Sequence, residues 1–155
     1  MMHGNPDHHD AELLLRLYDL RREEKLRRAR SWFVGKFDAK TLEEDQRKYP
    51  PGSEESVYTR MTTSYWDMAA SIVNRGLIHE HFFFENNGEL SIVWDKVKHL
   101  IPALREMYKN PHAFENLEKL ALKYEKWSEE RAPGHLEARR KIMSGAAQAA
   151  EPAGR

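Results

Sequence analysis

The sequence predicts an all-α protein, an irregular antiparallel bundle of five or six helices with a long first helix. Apolar side chains recur every three or four residues along most of the chain, which is the spacing of a buried helix face. Only residues 78–84 approach the alternation typical of a β-strand, and no Gly-rich turn follows a strand. These observations favour helices packed on helices, joined by short loops.

The composition is that of one soluble domain. The 155 residues contain 25 Lys and Arg, 25 Asp and Glu, and no Cys. Without cysteine the chain has no disulfide framework, thiolate zinc site, iron–sulfur cluster or cysteine nucleophile. We expect a single helical domain over residues 10–143, a disordered leader at residues 1–9 and a disordered tail at residues 144–155.

The first helix is predicted to be long. Asp10 can accept hydrogen bonds from the first backbone amides of a helix over residues 11–36, which would be about 39 Å long. Its apolar face comprises Leu15, Tyr18, Leu26, Ala29, Phe33 and Phe37. Arg22 lies within that face, so we expect it to pair with an anion such as Asp67 or to face a partner.

Proline and glycine divide the next part of the chain. A short acidic helix over residues 40–48 ends at the Tyr-Pro-Pro-Gly run of residues 49–52, because proline disfavours helix at the residue before it. Ser53 begins a helix with two adjacent apolar stripes, which predict a wide buried face, and Gly76 ends it. Residues 77–85 fit either a short helix or an extended segment.

Further helices are predicted in the C-terminal half. Ser91 caps a helix that Pro102 kinks or divides. The Asn-Pro pair at residues 110–111 begins another helix, with proline at the first helical position, and residues 131–134 end it. A weak helix is predicted over residues 135–143.

Several core positions between residues 58 and 127 follow a recognisable order. They are Tyr65, Trp66, Gly76, Leu77, Ile78, Phe82, Phe83, Trp94, Arg105, Phe114, Leu117 and Ala121. In this order they resemble a family of small bacterial helical proteins classed as a domain of unknown function. The resemblance implies a helical fold and supplies no catalytic residues. It also implies a membrane anchor ahead of the first long helix in some members, and we expect none here because the longest apolar runs are three residues.

A basic stretch on the first helix suggests an interaction surface. Residues 16–30 hold seven cations and three anions, whereas residues 38–55 hold three cations and six anions. The candidate interaction residues are Arg22, Arg27, Arg28 and Arg30. With Arg21, the last three could instead follow a nucleic-acid backbone. Glutamates at positions 23 and 24 stand four residues before Arg27 and Arg28, however, which favours a solvated surface of ion pairs.

His79, His81 and Glu85 are candidate metal ligands for a metal-dependent or small-molecule enzyme. On a strand the two histidines would share a face and could bind one metal ion, whereas on a helix residues two apart point in different directions. The adjacent Phe82-Phe83-Phe84 run favours a packed connector with histidines at the surface or at a helix cap.

Arg60, Asp67 and Asn74 repeat at seven-residue steps along one predicted helix. A helix brings residues at this spacing onto one face, opposite the wide apolar face. The line they form is either one half of a polar site or simply the side of the helix that faces water.

Together these observations favour a cytoplasmic, non-catalytic helical module for protein interaction or scaffolding. We expect it to bind a protein partner or to self-associate through its first helix. The chain contains no Gly-x-Ser-x-Gly nucleophile motif and no phosphate-binding loop, so an enzyme is not favoured and no cofactor is expected. Nucleic acid is the less favoured partner, and no membrane segment is expected.

Overall fold

The computed structural model describes the backbone of residues 4–150 and the side chains of residues 4–145. Within that range the backbone forms nine α-helices and no β-strand, so the all-α prediction is confirmed and the expected five or six helices were too few. The helices are α1 (His8–Arg22), α2 (Glu24–Lys36), α3 (Leu42–Lys48), α4 (Glu54–Asn74), α5 (Glu80–Asn86), α6 (Glu89–Val97), α7 (Ile101–Met107), α8 (Glu115–Arg131) and α9 (His135–Ala150).

The prediction of one long first helix is wrong, because the helix is interrupted at Glu23 and forms α1 and α2. Glu23 leaves helical geometry, with φ −52° and ψ 138°. Its carboxylate accepts hydrogen bonds from the N–H groups of Lys25 and Leu26 at 3.0 and 2.9 Å, and so caps the second helix. The break also changes which face of α1 is buried: Leu14 and Leu17 enter the core.

The start of α1 also differs from the prediction. Asp7 is the N-cap, and it accepts hydrogen bonds from the N–H groups of His9 and Asp10. The Asp10 carboxylate accepts a hydrogen bond from the Asp7 N–H in return, which completes a capping box. The helix therefore includes His8 and His9, within the expected leader, and residues 1–3 lie outside the described part of the chain.

The core forms where α4 packs between α2 and α8, the two helices that it contacts most extensively. Its largest fully buried side chains include Phe33, Trp66, Phe83, Ile78, Leu90, Ile101, Leu117 and Leu120. The predicted boundaries of α4 are close to the observed ones. The Ser53 hydroxyl accepts a hydrogen bond from the Ser56 N–H, and Gly76 follows the helix at φ +77°.

In the C-terminal half the structure resolves one open alternative and corrects two predicted helix starts. The ambiguous residues 77–85 contain α5, with His79 as its N-cap. Ser91 is buried inside α6 rather than capping it, while Pro102 does divide the predicted helix and stands in the first turn of α7. The helix expected from residues 110–111 begins later, since Phe114 adopts left-handed geometry at φ +59° and α8 starts only after it.

The last helix extends beyond its predicted end at Met143. Helix α9 continues to Ala150 through residues that were expected to belong to the tail. Residues 151–155 lie outside the described part of the chain. Among the described residues, no helix combines the length and the apolar character that crossing a bilayer requires.

Candidate functional site

An apolar groove opens between α1 and α5, with a volume of about 380 Å³. Its lining residues, which define the α1–α5 groove, are Ala11, Leu14, Leu15, Tyr18, Arg21, Phe82, Asn86 and Asn87. Leu15 is 65% exposed and Tyr18 is 43% exposed. Both were predicted to lie in the buried face, and they remain at the surface because the break at Glu23 turns Leu14 and Leu17 inward instead.

Arg21 forms the polar end of the α1–α5 groove. Its Nη1 donates a hydrogen bond of 2.7 Å to Asn87 Oδ1. Its guanidinium lies 5.0 Å from the ring centroid of Tyr18 and 5.8 Å from that of Trp66, within the range of cation–π attraction. Asn87 is buried and donates in turn to the backbone carbonyl of Phe83, so the position of Arg21 is fixed from two sides.

Arg30 and Glu89 form a two-point ion pair between α2 and α6. Arg30 Nε and Nη2 donate to the two carboxylate oxygens of Glu89 at 2.8 and 2.6 Å. Arg30 Nη1 donates to the Arg21 carbonyl, and Trp66 Nε1 donates to Glu89 at 3.3 Å. Since the two charged side chains are only 17% and 22% exposed, the pair ties α1, α2, α4 and α6 together.

Tyr65 adds a second buried link between α4 and α1. Its hydroxyl donates a hydrogen bond of 2.7 Å to the Leu17 carbonyl. Burial raises the pKa of Tyr65 to about 12. This tyrosine is therefore a neutral hydrogen-bond donor that holds α1 in place at physiological pH.

The four arginines predicted to form an interaction surface have different environments. Arg30 belongs to the internal ion pair, and Arg28 pairs with Glu24 as its spacing predicts. Arg27 is exposed and does not pair with Glu23, because the Glu23 carboxylate caps α2.

Arg22 does not meet the anion that its predicted place in the apolar face required. It is exposed, and its guanidinium lies 5.3 Å from the ring centroid of Tyr18. The suggested partner Asp67 accepts a hydrogen bond from a different helix. The break at Glu23 removes Arg22 from the buried face, so the side chain needs no internal anion.

The predicted polar line divides into one exposed residue and two that hold α8. Arg60 is exposed. Asp67 Oδ1 accepts a 3.0 Å hydrogen bond from the Leu117 N–H, and Asn74 Nδ2 donates to the backbone carbonyl and the side chain of Asn116. Because Phe114 provides no side-chain cap, Asp67 supplies the acceptor for one N–H group in the first turn of α8, while Asn74 binds the same turn as a donor. Burial raises the pKa of Asp67.

The three predicted metal ligands have separate roles in the structure. His79 Nδ1 accepts a hydrogen bond from the Phe82 N–H, and its own backbone N–H donates to Asp10. His81 is exposed, and Glu85 pairs with Arg131. Within the described residues, no group of three His, Asp or Glu side chains is placed to hold a metal ion.

The two histidines do share the lining of an open cavity. Its volume is about 710 Å³, and Asn74 and Lys123 also line it. Lys123 lies 3.3 Å from the carboxylate of Glu80, so one cation and one anion of the rim already neutralise each other.

Comparison with protein families gives a match to a family described as a domain of unknown function, DUF4760, over residues 6–127. The chain belongs to this family. The match confirms the resemblance noted between residues 58 and 127 and extends it to the first helix. No curated protein and no solved structure shows significant similarity to the chain.

The DUF4760 match places the α1–α5 groove and the Arg30–Glu89 pair inside the family region, and leaves α9 outside it. The groove offers apolar side chains, one fixed guanidinium and two carboxamides, which suit the binding of an apolar side chain beside an acidic group. Sequence reasoning missed it. The available signal was the Leu13-Leu14-Leu15 run followed by Leu17 and Tyr18, which covers more of α1 than one buried face can contain.

Proposed function

We propose that this DUF4760 protein is a non-catalytic interaction module that self-associates through the α1–α5 groove. The observation that carries the proposal is the exposure of Leu15 and Tyr18 beside a guanidinium fixed by Asn87. Large apolar side chains exposed next to a preformed cavity gain free energy when a partner removes them from water. The groove is small, so we expect it to accept one or two side chains of the partner.

The charge distribution supports a second copy of the chain as that partner. Arg16 and Arg22 are exposed beside the groove, and neither forms an ion pair among the described residues. Helix α3 carries Glu43, Glu44 and Asp45 in its first turn, and none of its residues is buried. Helix α1 as a whole has as many anions as cations, and Glu44 pairs with Lys48 within α3. The charge complementarity therefore lies between the exposed Arg16 and Arg22 and the exposed Glu43 of another copy.

Contact between α1 of one copy and α3 of another can form twice in a two-fold dimer, or it can link each copy to the next in a heterologous association. Heterologous contacts produce either a closed ring or an open chain of subunits. An open chain of subunits would give the module a scaffolding role.

The test is the mass in solution, measured by light scattering over about a hundredfold range of protein concentration, at low and at high salt. We expect the mean mass to rise with concentration and to fall with added salt, since screening weakens contacts between exposed charges. A strict monomer under every condition would remove the support for self-association.

Two sets of variants locate the contact. L15D should remove the association that depends on the groove, whereas the control L122D changes a leucine of α8 that is also exposed, at 53%, and should leave that association intact. R22E should weaken the association, and E43R in the same chain should restore it if the two residues meet across the interface. Equal loss in L15D and L122D would contradict the assignment to the groove.

A further inference from the structure

Helix α9 is docked on the DUF4760 region mainly by charged side chains. Asp95 on α6 accepts hydrogen bonds from Arg140 Nε and Nη2 at 3.0 and 3.1 Å. Arg139 Nη2 donates to Ser91 Oγ at 3.0 Å, and Glu125 on α8 lies 3.3 Å from Arg140. We call Ser91, Asp95 and Glu125 the α9 seat.

The apolar contribution to this docking is small. Among the side chains described for α9, at residues 135–145, Leu136 is the one that is buried. Arg139 Nε is buried without a hydrogen-bond partner, so the fit of α9 to its seat is incomplete. A helix held by one apolar side chain and by ion pairs can detach without disrupting the core formed by α2, α4 and α8.

The hinge between α8 and α9 consists of residues 132–134. Gly134 has φ +85°, a left-handed conformation that only glycine adopts without strain. A Cβ atom built at Gly134 would have no neighbour within 4 Å. The fold-back of α9 therefore depends on the backbone of Gly134 and not on space for a side chain.

We propose that two copies of the chain exchange α9, so that the helix of each copy docks on the α9 seat of the other. The seat presents the same groups to an α9 from either chain, so the exchanged and internal contacts are identical. The balance between the two states then depends on the hinge and on protein concentration. This inference goes beyond the proposed role of the α1–α5 groove, because it concerns a different surface, at which α9 from outside the family match contacts a seat inside it.

A pair of charge-reversed chains tests the exchange directly. The first chain carries D95K, which reverses the seat and keeps the arginines of α9. The second chain carries R139E and R140E, which reverse the helix and keep the seat. Within each chain the internal contact is repulsive, whereas the α9 of the first chain fits the seat of the second. Both chains also carry L15D, so that the groove does not contribute to association.

We expect each chain alone to be monomeric and an equimolar mixture to form a one-to-one dimer in light scattering. The association constant of the mixture should be about a hundredfold above that of either chain alone, since like charges face each other in both homodimers. Circular dichroism checks that each chain is folded. A mixture of folded chains that stays monomeric would overturn the proposal.

The hinge gives a second test in the otherwise unchanged chain. G134A strains only the folded-back hinge, which should favour exchange about tenfold per hinge and about a hundredfold for a dimer with two hinges. G52A is the matched control, because Gly52 has φ +88° and equally open surroundings far from α9 in sequence. A dimer fraction that rises equally in both variants, or in neither, would count against exchange.

Discussion

Replacing Glu89 with alanine is expected to destabilise the fold by about 2–3 kcal/mol. The variant removes the acceptor for two N–H groups of Arg30 and for the indole N–H of Trp66. Breaking a fully buried ion pair typically costs about 3–5 kcal/mol, because one charge stays behind unpaired. About a fifth of each side chain in this pair is exposed, so solvent screens the charge that remains and reduces the loss.

The control is E24A, which removes an ion pair with Arg28 whose side chains are 66% and 65% exposed. Its cost should be about 0–1 kcal/mol. Urea unfolding followed by circular dichroism gives both values, provided that the dependence on urea concentration is unchanged. If E89A cost no more than E24A, the ion pair would not be the link between α1, α2, α4 and α6 that we infer.

A double substitution measures the interaction between Arg30 and Glu89 separately from the contacts that each makes with other residues. R30M in the E89A background removes the stranded guanidinium, so the double variant should lose less stability than the sum of the two single variants. We expect a coupling free energy of about 1–3 kcal/mol from the double-mutant cycle. Additive losses would indicate that the two side chains act independently.

Three further predictions concern other polar contacts. Y65F should lower the free energy of unfolding by about 1 kcal/mol in urea at pH 7. Between pH 10 and about 12 it should lose less stability than wild type, because there the tyrosine ionises in the unfolded chain but stays neutral in the folded one. D67N should unfold at a higher urea concentration than wild type at pH 7, because burial raises the pKa of Asp67 and so disfavours its ionised form. D67A should lower the free energy of unfolding by about 1 kcal/mol, because the Leu117 N–H loses its acceptor. Burial opposes ionisation of Asp95, but the hydrogen bond and the charge of Arg140 hold the pKa of Asp95 below its ordinary value. Wild type should therefore lose stability when the pH falls below about 4. D95N should lose less stability than wild type in the same titration.

The helices most clearly predicted from the sequence are those whose signals are local. For α4, a serine cap, two apolar stripes and a glycine stop all indicate the same element, and the structure places Ser53 and Gly76 in these roles. The predicted ion pair of Glu24 with Arg28 also forms, because both residues lie on one exposed face of a helix.

Two of the errors have a different origin, since they occur where one side chain has two possible partners. Glu23 has the spacing to pair with Arg27, yet its carboxylate bonds the nearer N–H groups of Lys25 and Leu26. Ser91 has the composition of a helix cap, yet its hydroxyl accepts a hydrogen bond from Arg139, distant in sequence. The spacing of residues in the sequence does not show whether a side chain will hydrogen-bond a nearby residue or a residue of another helix.

The break at Glu23 links these local choices to the candidate function. A continuous first helix would place Leu15 and Tyr18 on the same buried face as Phe33, and Arg22 would need an internal anion. The break instead lets α1 bury Leu14 and Leu17, so Leu15 and Tyr18 line a groove whose polar end Arg21 provides. The Arg30–Glu89 pair and the Tyr65 hydroxyl then hold α1 in that position. The exposed groove is therefore a consequence of one capping carboxylate and two polar links that hold α1, and none of these residues belongs to a catalytic or metal-binding motif.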